Sequence, residues 1–145
     1  MTLDLLEQSL PSIKSHIFPL SVPLSAWSIK ESDLPDGHLP NLDHSRWPQF
    51  QVPGFWGGYD RTAWFRRTLV IPQEFGGKSV VLRLDLPEAL LFVNGKAFHG
   101  IDKNHSDLLL FEQARGGQKL QLAIQAYSGR TKEVSMFNRA ELAVL

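Results

Sequence analysis

The chain has no cysteine, which excludes a disulfide framework, thiolate metal sites and a cysteine nucleophile, and fits a reducing compartment. It also has no surplus charge. Fifteen basic and fifteen acidic residues cancel to a formal charge of zero, without the long single-sign blocks that mark a nucleic-acid arm or a membrane-surface patch. Neither nucleic acid nor membrane is expected as a partner. No apolar run approaches the roughly 20 residues that cross a bilayer. The opening MTLDLLEQSL carries acids where a signal peptide needs bases, so the expected setting is cytoplasmic and soluble. Catalytic signatures are missing too. No Gly-x-Ser-x-Gly elbow occurs, and Gly54, Gly57 and Gly58 are followed neither by Lys-Ser/Thr nor by a helical pattern, so they form no phosphate loop.

What is present is a succession of strand signals between Thr62 and Tyr127: TAWFRRTLVI, SVVLRLDL, ALLFV, KAFHGI, SDLLLF and KLQLAIQAY. In Ser79 to Leu84 the alternation is strict, with Val80, Leu82 and Leu84 on one face and Val81 and Arg83 on the other. It predicts one core face and one wetter face. By the same alternation Arg66, Arg83 and Gln121 are expected in solvent, and Arg66-Arg67 as a solvated strand face rather than an anion site. Asn94-Gly95 tolerates the two positive φ values of a type I′ turn, so Leu91 to Val93 should pair antiparallel with Lys96 to Phe98. Gly76-Gly77 and Gly116-Gly117 mark further turns. Many short strands without intervening helices predict a mainly β fold, an antiparallel β-sandwich of jelly-roll type.

Around that centre the chain is expected to form one domain. Leu3, Leu6, Leu10, Ile13 and Ile17 recur at three- and four-residue steps, with Thr2 as cap and Asp4 and Glu7 in the first turns. They predict a short N-terminal helix, kinked or split at Pro11. Residues 1–26 then form helix and extended arm, and 27–145 the sandwich, with Leu24 to Ile29 either a first strand or an apolar plug. Glu31 to Asp60 reads as a long irregular stretch. It holds Trp47, Phe50, Phe55, Trp56 and Tyr59, too many aromatics for a disordered linker, so an ordered, packed loop is expected. Thr131 to Arg139 reads as polar connection. The closing ELAVL is an apolar strand signal, and the sequence is expected to be a fragment of a longer protein.

The order Trp-Phe-Arg-Arg-Thr (64–68), Phe-Val-Asn-Gly-Lys (92–96), Gly-Ile-Asp-Lys-Asn-His (100–105) and Leu-Ala-Ile-Gln-Ala-Tyr (122–127) resembles the N-terminal β-sandwich domain of α-mannosidases of glycoside hydrolase family 38. Trp64 to Thr68 and Val93 to Lys96 also look like the sugar-binding jelly roll of family 2 β-galactosidases and β-glucuronidases. GIDKNH and the AYSGR at Ala126 to Arg130 favour the mannosidases. The resemblance implies a galactose-binding-like jelly roll and a parent enzyme whose metal-assisted, retaining hydrolysis sits on a separate downstream domain. That domain would use zinc or another divalent ion, held in the family by two His and two Asp. None of those ligands maps onto this sequence, so no catalytic residue and no cofactor is assigned to it.

Two residue groups remain as candidate carbohydrate or interdomain contacts. Trp56, Tyr59, Asp60 and Arg61 offer an aromatic face and charged groups, the pairing that sugar recognition uses. The weightier expectation is that such loop aromatics close the core or an interdomain seam. Asp102, Asn104 and His105 form a polar loop able to approach a neighbouring domain. His99, Asp102, His105 and Asp107 have metal-ligand types, but His99 and Asp102 on an extended segment diverge, so no metal is expected. The expected function is that of a non-catalytic domain packing on the downstream catalytic domain of the same polypeptide. The alternatives are a free-standing module for mannose-containing sugars and a pure protein-interaction sandwich.

Overall fold

A computed structural model describes residues 18–129 and 134–145. The helix expected over residues 2–17 lies outside the described residues, and among those described the one helical turn is 3₁₀, Gln73–Phe75. In chain order the strands are β1 (Ser21–Pro23), β2 (Ala26–Lys30), β3 (Gln49–Gln51), β4 (Gly54–Trp56), β5 (Arg61–Val70), β6 (Val80–Asp85), β7 (Glu88–Val93), β8 (Lys96–Asp102), β9 (Asp107–Phe111), β10 (Lys119–Ser128), β11 (Ser135–Phe137) and β12 (Arg139–Val144).

All pairings are antiparallel, which bears out the mainly β, antiparallel expectation. A four-stranded sheet runs β1-β12-β6-β9, a six-stranded sheet runs β3-β2-β5-β10-β7-β8, and β4 and β11 form a separate ribbon. Between the two sheets lies the core. Leu82, Leu84 and Leu142 come from one side and Phe65, Leu91, Leu122 and Ile124 from the other. The Asn94-Gly95 turn falls where expected, with φ of 52° and 84°, and joins β7 to β8.

Four elements escaped the sequence. β1 ends on Pro23, which is tolerated because β1 is an edge strand whose proline owes no ladder hydrogen bond. β3, β4 and β11 are three residues each, too short to register a period of two. Their inward side chains nevertheless make the aromatic centre. Phe50 of β3, Trp56 of β4 and Phe137 of β11 sit 5.1, 5.4 and 5.2 Å, ring centre to ring centre, from Phe65 of β5. Trp27 of β2 joins at 5.6 Å from Phe137 and donates its Nε1–H to the Leu24 carbonyl at 2.7 Å.

The expected wet face of β5 is not wet. Trp64 and Arg66 point away from the core, yet both are buried, because residues 31–48 fold back over the outside of the six-stranded sheet. Trp64 donates Nε1–H to the Leu34 carbonyl at 3.0 Å. The Arg66 guanidinium donates to the carbonyls of Gly37 at 2.7 Å and Leu42 at 3.5 Å, and through Nε to His44 Nδ1 at 3.2 Å. A Cβ at Gly37 would fall 2.2 Å from the Trp64 ring, so only glycine lets the loop lie this close. Arg67 is half-buried, over the Trp27 ring at 5.7 Å. Alternation places side chains on faces but does not say which faces a loop will cover, so the expectation of solvent for Arg66 fails. The wetter face expected of β6 fails likewise at Val81, which is fully buried, and Arg83 is only 17% exposed.

His44 accepts from Arg66, so it must stay neutral on Nδ1. Burial first, and the Arg66 charge second, hold its pKa below the ordinary histidine value. A lowered folded-state pKa means that the unfolded chain binds the proton first. The stability that this arrangement provides is therefore full above about pH 6.5 and is lost as pH falls through the folded value. The unfolding midpoint in urea should decline as pH falls below about 6.5, and His44→Gln should remove that part of the decline. An identical acid limb in the variant would refute the assignment.

Candidate functional site

At one end of the sandwich the turn after β8, the start of β7, the end of β10 and the start of β11 enclose an open cleft of about 880 Å³. Its polar wall is the β8 end and turn. Asp102 Oδ1 accepts the backbone N–H of Asn104 at 2.7 Å and of His105 at 2.8 Å, and the His105 ring Nδ1 lies 3.0 Å away. This is an Asx turn: the side chain supplies the acceptor that a backbone carbonyl would supply elsewhere. The Asn104 backbone bond first, then the His105 imidazole, hold the Asp102 carboxyl below its ordinary pKa. Carboxylate oxygens only accept, so His105 carries its proton on Nδ1 and turns Nε2 outward. His99 Nδ1 is 2.6 Å from the Gly100 carbonyl and is protonated by the same argument. The two rings stand 6.1 Å apart.

The opposite wall is the β10 end. Tyr127 donates its hydroxyl to Asp60 Oδ1 at 3.1 Å, and that bond to a carboxylate is the first cause of its raised pKa. Asp60 itself sits at φ 54°, a conformation that Asp tolerates better than most residues. Apolar side chains edge this wall. Val134 and Tyr127 line the cleft, Met136 continues from Val134 along β11 opposite Phe55 of β4, and Tyr59 adjoins Asp60. All five are exposed, Phe55 and Tyr59 by 66% and 67%.

The residues singled out from the sequence thus separate. Asp102, Asn104 and His105 line the cleft, and Asp60 reaches its wall through Tyr127. Tyr59 is open to solvent, and Arg61 is exposed at the start of β5, paired with Ser128. Trp56 is 4% exposed, its ring edge-on to Phe65, so it closes the core and has no face to offer a sugar. Its Nε1 is buried without a hydrogen-bond partner. Tyr127, Val134, Phe55 and Met136 were missed as site residues. Tyr127 had a usable signal, since it follows the inward Ala126 and must point out. Phe55 and Met136 sit on strands too short to be seen, and Val134 lies just before one of them.

Among the described residues no three His, Asp or Glu side chains converge as metal ligands. Asp102 Oδ1 accepts within the turn.

The model of the Ams1-like alpha-mannosidase jelly roll domain matches residues 19–137. The chain belongs to that family. Membership bears out the resemblance read from about Trp56 to Tyr127 and the jelly-roll topology. Among solved structures, the chain is similar to a β-glucuronidase 2 of Bacteroides uniformis, with a TM-score of 0.72 and 19% identity over 87% of this chain and 18% of that one. A glycosyl hydrolase family 2 member from Bacteroides cellulosilyticus gives 0.70 and 19% over 86% and 20%. A β-glycosidase from Bacteroides vulgatus gives 0.66 and 18% over 86% and 20%. At such identities the likeness is one of fold. The jelly roll spans about a fifth of those chains. No curated protein matches it.

Proposed function

We propose that this jelly roll is the non-catalytic N-terminal domain of an α-mannosidase, packing on a downstream catalytic domain and shaping the rim of its sugar pocket. The observation that carries the reading is the cleft end: a polar turn of Asp102, Asn104 and His105 beside five exposed apolar side chains. Exposed apolar side chains bordered by polar groups are the composition of a seam between domains. Zinc or another divalent ion belongs, in this reading, to the catalytic domain, and the whole enzyme is cytoplasmic.

The test uses the protein encoded by the reading frame continued past Leu145. That protein should hydrolyse an aryl α-mannoside, whereas residues 1–145 alone should give a flat progress curve. Phe55→Asp and Tyr59→Asp, at exposed positions, should leave the isolated domain folded. In the whole enzyme they should lower activity and split its unfolding into separate transitions. Turnover by the isolated chain, or a whole enzyme indifferent to both substitutions, would sink the reading.

A further inference from the structure

His99 and Asp102 fall on opposite sides of β8, but the chain turns at Asp102 and brings a different pair together. His99 and His105 stand with ring centres 6.1 Å apart on the polar wall of the cleft. Both rings are open. His99 lies two residues before the buried Ile101 and on the same side of β8, yet it is exposed, because β8 is the outermost strand of the six-stranded sheet. His105 is 47% exposed. Each ring is fixed from behind through Nδ1, His99 against the Gly100 carbonyl at 2.6 Å and His105 against Asp102 Oδ1 at 3.0 Å. Both partners only accept, so both protons sit on Nδ1 and each Nε2 carries a lone pair.

Metal-binding histidines characteristically give their other ring N–H to a carboxylate or a backbone carbonyl, which fixes the tautomer and makes the ligating nitrogen more basic. This pair has one partner of each kind. Distance allows a shared ion. An ion about 2.1 Å from a ring nitrogen lies roughly 3.2 Å from the ring centre, so two imidazoles share it only when their centres are within about 6.4 Å. The observed separation is inside that limit, and closing to the roughly 5.2 Å of a tetrahedral site needs a movement of about 1 Å shared by two exposed rings. We propose that His99 and His105 form a two-imidazole site for a divalent transition-metal ion of the zinc and copper class, bound through Nε2. Imidazole selects such ions, whereas Mg²⁺ and Ca²⁺ take oxygen ligands. The surrounding charge suits a cation. The charged residues lining the cleft are Glu88, Asp102 and Lys103, two carboxylates against one ammonium, so the wall is net negative. With two protein ligands, the other coordination positions fall to water from the open cleft. The inference is independent of the mannosidase reading, since it concerns two side chains of this chain alone.

Zinc chloride titrated into the 145-residue chain, followed through the ring nitrogens of isotope-labelled histidine by magnetic resonance, tests this directly. The Nε2 signals of His99 and His105 should shift together, with a single dissociation constant. His99→Ala should weaken zinc binding at least tenfold and abolish the shift of His105 at the concentration that saturates the parent, and His105→Ala should do the same to His99. Neither substitution endangers the fold. Both rings are exposed, and the backbone N–H bonds of the Asx turn do not use the His105 ring. His16, His38 and His44 remain in every variant and set a common background. Mg²⁺ at the same concentration should leave both rings unmoved. A shift confined to one ring, an unchanged affinity in either variant, or an equal response to Mg²⁺ overturns the site.

Discussion

Phe65→Ala is expected to lower the free energy of unfolding by about 3–5 kcal/mol, the range for emptying a well-packed aromatic site. Phe65 is fully buried, and its ring meets Phe50, Trp56 and Phe137, so truncation removes contacts to β3 and to both strands of the β4–β11 ribbon at once. The site cannot collapse easily. β5 is held on both sides, by β10 along ten residue pairs and by β2 along three, so the backbone cannot move in to fill the space. Domains are typically stable by about 5–15 kcal/mol, and the loss therefore takes a fifth or more of a typical total. Urea unfolding followed by tryptophan fluorescence gives the number. Phe65→Leu, which keeps most of the volume, should cost much less. Equal losses from Leu and Ala would mean that the ring contacts, rather than the volume filled, carry the stability. A loss under 1 kcal/mol would deny the cluster its role. The cleft would feel it as well, because β4 and β11, which carry Phe55 and Met136, are tied to the sandwich through Trp56 and Phe137.

The strands that could be read from the sequence are those long enough to repeat. β5, β6 and β10 show their period over six to ten residues, and the β7–β8 turn announces itself through Asn94-Gly95. β3, β4 and β11 hold their places by what they bury, a tertiary property that three residues do not display. The site divided in the same way. The Asp102 turn was visible because Asp, Asn and His are local turn chemistry, and each bond within it spans two or three residues. The Tyr127–Asp60 bond joins positions 67 apart in the chain, and nothing local foretells it. Trp56 was the instructive case. A loop tryptophan reads equally as platform or plug, and only the position of Phe65 behind it decides.

Arg66→Met should lose about 2–4 kcal/mol although it removes a charge from a buried site, because it strands acceptors that the loop cannot satisfy otherwise. The guanidinium serves Gly37, Leu42 and His44 from one planar group. Lysine, with a point charge on a flexible stem, cannot reproduce that fan, so Arg66→Lys should rescue little. The result would be more than a stability figure. Residues 31–48 cover the outside of the six-stranded sheet, and Arg66 is their buried anchor. Released, they should expose Trp64 and shift its emission to the red. The His44 pKa should return toward its ordinary value as burial is relieved and the Arg66 charge disappears, shrinking the acid limb of stability. Combined with His44→Gln, the two losses should fall short of their sum, since both act on one hydrogen bond. Strict additivity would show that the loop is held elsewhere. The covered sheet also bears on the proposed docking: with its outer face occupied by residues 31–48, the cleft end with Phe55, Tyr59, Tyr127, Val134 and Met136 is where the described residues leave apolar side chains exposed.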